Sequence, residues 1–351
     1  MPRHCQEFKE KNTINAFLKL CALAFAAALT LASCASAPSG PPPWAASPAA
    51  MREAFPGGEF IAQQGRGATR AAAEADATAA IARFLGSEVF SRVAVLEQYW
   101  AENGESRAIT EIESEIFVQA QMQLFGVRHA QDAHFDREQG WVAVAYINRA
   151  EAWQVYGPGF RLQAEAFARL FDAAENESDP FRRALRFIAA QDYARSPDFQ
   201  NAESLGQLIH PARMDAEFAG VRSMLASLPQ RVGDSAGSAA VFLDIPEDFE
   251  SRLRGAFSQR LAALGFSVTD DRAAAAAVCS VTVDEGRQVR DLGVFYFPRL
   301  QAVITSPAGA LHTFTAEAGQ QAAVTPDVAR RRAYQALADR VLSDFSLEAN
   351  F

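Results

Sequence analysis

A short apolar segment near the amino terminus determines which part of this chain can fold. Residues 20–31 read LCALAFAAALTL, and all three lysines of the chain, Lys9, Lys11 and Lys19, precede this segment. A membrane-spanning helix needs about 20 apolar residues, so the segment is too short to cross a bilayer. A basic start, a short apolar centre and an exit of small residues are typical of an export signal that is later removed. We therefore predict that residues 1–33 are a signal peptide and take no part in the fold.

The exit of this segment reads Leu31-Ala32-Ser33-Cys34 and resembles the bacterial lipobox. The resemblance implies cleavage before Cys34, a diacylglyceryl thioether on its sulfur and an acyl chain on its new amino group. Two such acyl signals anchor a protein stably in a membrane. The alternative is an ordinary secretory signal followed by an unmodified cysteine. Ala35, not Asp, follows the cysteine, and by analogy with enterobacterial sorting this favours the outer membrane. We expect the body to face the periplasm; display of the protein on the cell surface is the alternative.

The stretch behind the cysteine is rich in proline, serine and alanine. Residues 35–50 read ASAPSGPPPWAASPAA, a composition that favours an extended chain of about 3 Å per residue. We predict that residues 34–54 form a tether, with an exposed tryptophan, that reaches up to roughly 60 Å from the lipid.

The charge of the remaining chain excludes several classes of protein. The sequence holds 33 basic and 42 acidic residues; the first 33 positions carry four of the bases and two of the acids, which leaves 29 arginines, 40 acids and a formal charge of −11. Without any lysine after the signal, a P-loop lysine, a Schiff-base lysine and a Ser-x-x-Lys nucleophile pair are all impossible. An acidic body also argues against nucleic acid as a partner.

Patterns along the chain divide the body into three units. Residues 55–157 begin with a strand (FIAQQG, 60–65), a turn at Gly65–Gly67 and a helix capped by Thr69 that extends to about Leu85. Apolar residues then alternate over 115–125, and residues 141–148 (WVAVAYIN) form a more continuously apolar run; both patterns predict strands. The GPG triplet at 157–159 marks the end of this unit.

Residues 158–232 predict a helical hairpin or bundle. Asp179 is placed to cap a helix that has Pro180 in its first turn. The glycine- and serine-rich residues 233–238 (GDSAGS) predict a linker before the last unit.

Residues 238–351 repeat the order strand, helix, several strands, helix. Five apolar residues share one face of a helix that we expect Pro246 to open; they are Phe249, Leu253, Phe257, Leu261 and Leu264. Strands are predicted at VCSVTVDEG (278–286), VFYFPRLQAVI (294–304) and LHTFTAE (311–317), and Thr325-Pro326 opens a closing helix. The apolar face expected on that helix consists of Tyr334, Leu337, Ala338, Val341, Leu342 and Phe345. The fold class is therefore α+β, with two strand-helix-multistrand sandwich domains that flank a helical segment.

The two glycines in front of the first long helix raise the question of a phosphate site. A dinucleotide fingerprint needs a third glycine three residues after Gly67, for close helix–strand packing, and Arg70 stands there instead. We interpret Gly65 and Gly67 as turn glycines that supply a positive φ or a close backbone approach, and we expect no cofactor.

Other reactive side chains form no recognisable catalytic set. His129, Asp132, His134 and Asp136 could supply metal ligands, and the last two would share a face if this segment is a strand. Their spacing matches no known metal motif, so we expect no metal. Cys279 alternates with valines on a predicted strand, which indicates a buried and inert thiol.

The first unit resembles a family of bacterial lipoproteins. A tryptophan after the cysteine, Phe55-Pro56, an aromatic-led strand, the Gly-x-Gly pair and a series of helix alanines before Phe84-Leu85-Gly86 resemble the LPP-twenty family over about residues 44–157. The last unit also resembles the α/β fold shared by the amino-terminal domain of TolB, the curli-secretion lipoprotein CsgG and the penicillin-binding-protein activator LpoB, and the whole layout distantly resembles FlgT. These resemblances imply an envelope lipoprotein that binds or scaffolds other proteins, and they transfer no catalytic residues to this chain.

Taken together, these features predict a non-enzymatic, lipid-anchored envelope lipoprotein. Its partners would be the membrane, through Cys34, and flagellar, cell-wall or secretion proteins of the envelope. Two alternatives stay open. One is a homo-oligomeric subunit of a ring or secretion pore, and the other is a cell-wall enzyme with paired carboxylates.

Overall fold

The structure, a computed structural model, describes residues 41–101, 126–291 and 293–347. The lipobox residues Leu31, Ala32 and Ser33, the lipidation candidate Cys34 and the predicted strand at 115–125 lie outside the described residues. The described part of the chain has the α+β class that the sequence predicts, with antiparallel and mixed sheets packed against helices.

The amino-terminal unit is built on an antiparallel sheet. Its strands are β1 (Phe60–Gly67), β2 (Arg128–His129), β3 (His134–Asp136) and β4 (Gly140–Asn148). Within the described residues β1 pairs only with β4, in a register that runs from Phe60 opposite Asn148 to Gly67 opposite Trp141, and β2 and β3 pair with the other edge of β4. The antiparallel order agrees with our rejection of a doubly wound nucleotide fold.

A long helix, α2 (Arg70–Ala101), covers one face of this sheet; a shorter one, α1 (Pro48–Ala54), precedes the first strand. Thr69 caps α2 as predicted, because its hydroxyl oxygen accepts the Ala72 N–H at 3.2 Å. The expected end of this helix near Leu85 is wrong. Leu85, Val89 and Val93 are all buried, so the apolar face continues for two more turns and the helix continues with it.

The prediction that Gly65 and Gly67 form a turn is also wrong. Both residues lie within β1, and neither belongs to the described glycines with positive φ. A Cβ on Gly65 would lie 2.0 Å from the Ala77 nitrogen and 2.4 Å from the Ala73 carbonyl oxygen. Of the two roles considered for these glycines, the structure selects close backbone approach: they let α2 lie directly on the strand.

Five helices form the middle of the chain, and together they extend beyond the predicted helical segment 158–232 at both ends. They are α3 (Arg149–Glu175), α4 (Pro180–Ala194), α5 (Pro197–Ile209), α6 (Pro211–Glu217) and α7 (Ala219–Ser238). The Asp179 cap is confirmed, since its carboxylate accepts the N–H groups of Phe181 and Arg182 at 3.0 Å each.

Two predicted breaks in this region do not occur. Residues 157–159 lie inside α3, although Pro158 cannot donate a helical hydrogen bond, and residues 233–238 lie inside α7. Packing overrides the local preference in α3 because its buried face crosses the triplet: Trp153 and Tyr156 precede it and Phe160 follows it. A Cβ on Gly157 would lie 3.0 Å from the Trp153 ring, so this glycine makes room for the indole rather than a turn.

The helical middle contributes to the cores of both flanking units. Trp153 and Leu205 pack in the core beneath the amino-terminal sheet. Phe181 of α4 packs in the carboxy-terminal core, where its ring lies 4.9 Å from that of Phe266. The three sequence units therefore pack on one another rather than being joined by exposed linkers.

The carboxy-terminal unit has a mixed five-stranded sheet and a small three-stranded one. The described strands are β5 (Val241–Asp244), β6 (Val268–Thr269), β7 (Ala277–Asp284), β8 (Gln288–Arg290), β9 (Gly293–Tyr296), β10 (Arg299–Ser306), β11 (Gly309–Glu317) and β12 (Gln321–Ala323). The five-stranded sheet has the order β11-β10-β7-β5-β6, and the three-stranded sheet has the order β12-β9-β8. The predicted single strand 294–304 is divided into β9 and β10, with Pro298 in the gap between them.

Two helices, α8 (Arg252–Ala263) and α9 (Pro326–Asp344), pack against the five-stranded sheet. Pro246 does not open α8 as predicted. A 3-10 turn (Phe249–Ser251) intervenes, and the Asp248 carboxylate accepts the N–H groups of Leu253 and Arg254 at 2.9 and 2.8 Å. On the closing helix the predicted apolar face is buried except at Leu342, which is 37% exposed.

Candidate functional site

Part of the predicted tether is folded onto the amino-terminal sheet. Residues 42–55, which we call the strap, contain a 3-10 turn (Pro43–Ala45) and α1. Trp44 is only 5% exposed, so the prediction of an exposed tryptophan is wrong. Its indole packs with Val142 and Val144 on the sheet face opposite α2, which we call the outer face.

Local contacts hold the strap in place at both ends of α1. The Ser47 hydroxyl caps this helix by accepting the Ala50 N–H at 3.1 Å. After the helix, the Phe55 ring lies 5.2 Å from that of Tyr146 and 6.0 Å from that of Phe60. Aromatic pairs at such distances add stability beyond the area that they bury.

A cleft of about 740 Å³ lies between the strap and the outer face, and we call it the strap groove. Its lining is mostly polar on the sheet side. The residues that line the groove include Ser47, Met51, Arg52, Ala62, Gln63, Gln64, Arg66, His134, Asp136 and Gln139. A groove of this size and polarity suits a polar segment of another molecule better than an apolar ligand.

The strap groove carries two cationic side chains, Arg52 and Arg66, and one acidic side chain, Asp136. Within the described residues, neither Arg52 nor Arg66 lies within ion-pair distance of a carboxylate, whereas fourteen such pairs occur elsewhere in the described part. The charge of Arg66 helps to lower the pKa of the Asp136 carboxyl, so the groove carries two positive charges against one negative charge on a body whose formal charge is −11.

His134 and Asp136 share the outer face, as the sequence predicts for a strand. The backbone N–H groups of Glu138 and Gln139 donate to the Asp136 carboxylate at 2.8 and 2.9 Å, and these bonds lower the pKa of that carboxyl. The arrangement keeps Asp136 charged and fixes the turn between β3 and β4.

The four metal candidates of the sequence do not converge. His129 lies on the face toward α2, where its Nε2 is 2.9 Å from the Thr78 hydroxyl and 3.1 Å from the Glu74 carbonyl oxygen. His134 lies on the outer face. In the described ranges, no three His, Cys, Asp or Glu side chains are grouped so that they could hold a metal ion.

A second polar cleft, of about 550 Å³, lies between α2 and α5. Burial raises the pKa of the Glu203 carboxyl, and the charges of Arg222 and Arg92 oppose this rise. The sequence did not point to this cluster, because single charged residues on helices look like parts of solvated faces.

The environments of the Cys279 thiol and the Tyr334 phenol, two reactive groups of the carboxy-terminal unit, make both groups unreactive. Burial raises the pKa of the Cys279 thiol to about 12, and the side chain is fully buried, as predicted. Burial and the Glu285 carboxylate raise the pKa of the Tyr334 phenol to about 12, and its hydroxyl donates to that carboxylate at 3.2 Å. Glu285 is also ion-paired with Arg330, which neutralises the cluster.

One arginine that the sequence did not single out connects three elements. The Arg149 guanidinium donates to the carbonyl oxygens of Gly57 at 2.8 Å and Ile209 at 3.0 Å, and also to that of Leu208. Burial lowers its pKa. Because these acceptors precede β1 and end α5, Arg149 fixes the helical middle to the amino-terminal sheet.

Comparisons with known proteins assign the chain to no family. No family model matches the chain, and no curated protein matches its sequence. A secreted protein of Helicobacter pylori, of known crystal structure, matches 82% of this chain and 99% of its own length, with 10% identity and a TM-score of 0.31. A likeness this weak shows neither a shared fold nor a shared function, and the resemblance to the LPP-twenty family stays a prediction.

The helices of the described ranges do not have the length and hydrophobicity that crossing a bilayer requires. Each of them is too short or too polar to serve as a membrane span.

Proposed function

We propose that this chain is a lipid-anchored lipoprotein of the bacterial envelope that binds or scaffolds other envelope proteins and has no enzymatic activity. Acylated Cys34 would hold it in the outer membrane, with the body facing the periplasm. The sequence supports this assignment through the export signal, the lipobox and the resemblance to the LPP-twenty family.

The observation that carries the proposal is the position of the strap. Pro42, where the strap begins, follows Cys34 by only eight residues, which reach about 25 Å when extended. An anchor on Cys34 would therefore hold the strap groove close to the membrane surface, and the full reach of roughly 60 Å would require the strap to detach. A docked strap gives the body a preferred side toward the lipid, which suits a protein that presents a binding surface to fixed envelope partners.

The chemistry of the described side chains also supports binding. In the described part of the chain, the strap groove offers two guanidinium groups that lie outside ion-pair distance of a carboxylate, together with amide side chains. The thiol of Cys279 is buried, and the carboxylate of Glu285 is neutralised by Arg330. Guanidinium and amide groups recognise polar partners without the need for a reactive nucleophile.

Crosslinking under native conditions tests this function. Cells that carry the tagged full-length chain are treated with a membrane-permeant crosslinker, and the adducts are purified and identified. Specific envelope proteins should be enriched over a matched preparation of Cys34→Ser, because the anchor brings the body to its partners. If the wild-type chain recovers no envelope protein above background, the proposed function is wrong.

A further inference from the structure

Within the residues that the structure describes, one edge of the amino-terminal sheet is open along β1. In the antiparallel ladder each residue directs both its N–H and its C=O either toward the partner strand or away from it. The Glu59 carbonyl accepts the Arg149 N–H at 2.9 Å on the β4 side, whereas the Phe60 N–H donates to the Pro56 carbonyl at 2.9 Å and the Arg66 N–H to the Asp76 carboxylate at 3.0 Å. Even-numbered residues of β1 therefore direct their backbone groups to the free edge.

Between these two satisfied ends lie Ala62 and Gln64, whose N–H and C=O groups also point to the free edge. In the described part of the chain no strand pairs with this side of β1. The carbonyl of Val144, which faces Gln64 across the ladder, confirms the alternation, because it accepts the Ala130 N–H at 2.9 Å on the opposite side. Two residues thus offer two donors and two acceptors to an incoming strand.

The strap groove continues around this edge. Gln63 and Gln64 point to opposite sides of the sheet, yet both line the groove. The groove therefore reaches the row of free backbone groups, and its walls would surround the side chains of a strand added there.

The charge of the groove indicates which strand would fit. Arg66 follows the open pair along β1, and Arg52 lies across the groove on the strap. Neither guanidinium lies within ion-pair distance of a carboxylate in the described ranges, although the charge of Arg66 helps to lower the pKa of the nearby Asp136 carboxyl. The two arginines outnumber this one acid in the groove, so an incoming segment with acidic side chains would supply close carboxylate partners.

We propose that the free edge of β1 takes up an extended acidic segment of a partner protein as an additional strand. Main-chain bonds to Ala62 and Gln64 would hold the segment, and Arg52 and Arg66 would select its charge. This mode of recognition derives its affinity from the backbone and its specificity from alternate side chains. The inference rests on the proposed function and names the chemistry of its partner.

A labelled peptide tests the proposal on the full-length mature chain in nonionic detergent. The probe is a fluorescein-labelled peptide of about seven residues that alternates glutamate and valine, long enough to form a typical strand. Its fluorescence anisotropy should rise on titration with the protein. A peptide in which lysine replaces glutamate should bind about tenfold more weakly, as expected from the loss of two exposed ion pairs.

Variants of Gln64 separate backbone from side-chain recognition. Gln64→Pro removes the N–H that faces the free edge and leaves the ladder with β4 intact, because proline is tolerated in an edge strand on its outward side. Binding should fall by roughly three- to tenfold, which corresponds to the loss of one backbone hydrogen bond worth about 1 kcal/mol. Gln64→Ala keeps the N–H and should bind as the wild type does.

Charge reversal gives a second test that does not alter the strand. Arg52→Glu combined with Arg66→Glu should weaken the acidic peptide about tenfold and strengthen the lysine peptide. The matched control is Arg287→Glu, an exposed arginine of the carboxy-terminal unit, which should change neither affinity. A melting curve of each variant establishes that it is folded.

The outcomes are separable from those of the proposed function. If the acidic peptide does not bind, or if Gln64→Pro and the charge reversal bind it as the wild type does, the edge proposal is wrong. If these variants still recover the envelope proteins that the wild type recovers by crosslinking, the proposed function stands and its partners bind elsewhere.

Discussion

Replacing Gly65 by alanine tests the close approach of α2 to β1. The new Cβ would lie 2.0 Å from the Ala77 nitrogen, 2.4 Å from the Ala73 carbonyl oxygen and 2.6 Å from the Ala77 Cα. All three neighbours are backbone atoms of α2, so no side chain can rotate to relieve the overlap. Ordinary contact begins near 3.4 Å, and the helix must therefore move from the strand by more than an ångström.

The free-energy cost of this movement can be estimated from the cost of overpacking in protein cores. Added methylene groups typically cost 1–3 kcal/mol, and contacts against backbone belong at the upper end, so we expect about 3 kcal/mol. The smaller entropy of the unfolded alanine variant returns about 0.4–1 kcal/mol. The free energy of unfolding should thus fall by roughly 2–3 kcal/mol, which lowers a urea midpoint by about 1 M.

Urea denaturation followed by far-ultraviolet circular dichroism measures this change. The matched control is Gly58→Ala, since a Cβ there meets nothing within 4 Å and Gly58 does not have a positive φ. The control should be neutral or stabilised by a few tenths of a kcal/mol. Equal midpoints for Gly65→Ala and Gly58→Ala would refute the close approach of α2 to β1.

Three further predictions follow from the geometry. Trp44→Ala should release the strap, because the lost burial costs roughly 3 kcal/mol, and trypsin should then cleave after Arg52 at least about tenfold faster than in the wild type; an unchanged cleavage rate would contradict the docking. In the mature chain, the Cys279 thiol should react with a thiol reagent at pH 8 only after denaturation, since it is buried with a pKa of about 12; fast labelling of the native protein would show that it is accessible. Burial raises the pKa of the Glu203 carboxyl in the folded state above its ordinary value of 4.5. The folded state therefore holds this proton more tightly than the unfolded state, and the stability that this provides is lost as the pH rises from 4.5 through the raised pKa. Glu203→Gln should therefore raise the melting temperature at pH 7 and reduce its decline with pH, and an equal decline in both proteins would refute the assignment.

Local signals with a single physical cause could be predicted from the sequence. Asp179 caps its helix because its carboxylate meets the first free N–H groups, and residues 141–148 form a strand because their apolar run fits a sheet core. The shared outer face of His134 and Asp136 follows from the period of two along a strand. These features depend on neighbours along the chain.

Features that depend on distant partners could not be predicted. The GPG triplet lies within α3 because Trp153 and Phe160 are buried against other elements, which outweighs the preference of proline for a helix end. Trp44 is buried for the same kind of reason: its partners Val142 and Val144 lie about a hundred residues away. The strap groove forms where the strap packs on the sheet. The composition of residues 34–54 carries no information about that packing, and by itself it predicts an extended tether.

Residues 35–41 connect the proposed anchor, Cys34, to the strap. The body carries a formal charge of −11, so it has no basic charge that would attract it to an anionic lipid surface. Detergent phase partitioning therefore tests the central claim, an otherwise water-exposed body held by lipid on Cys34, most directly. Full-length protein from membranes should enter the detergent phase, whereas Cys34→Ser and a chain that begins at Pro41, with the whole strap retained, should stay in the aqueous phase. Partitioning of the Pro41 chain into detergent, or of the full-length protein into water, would contradict the account.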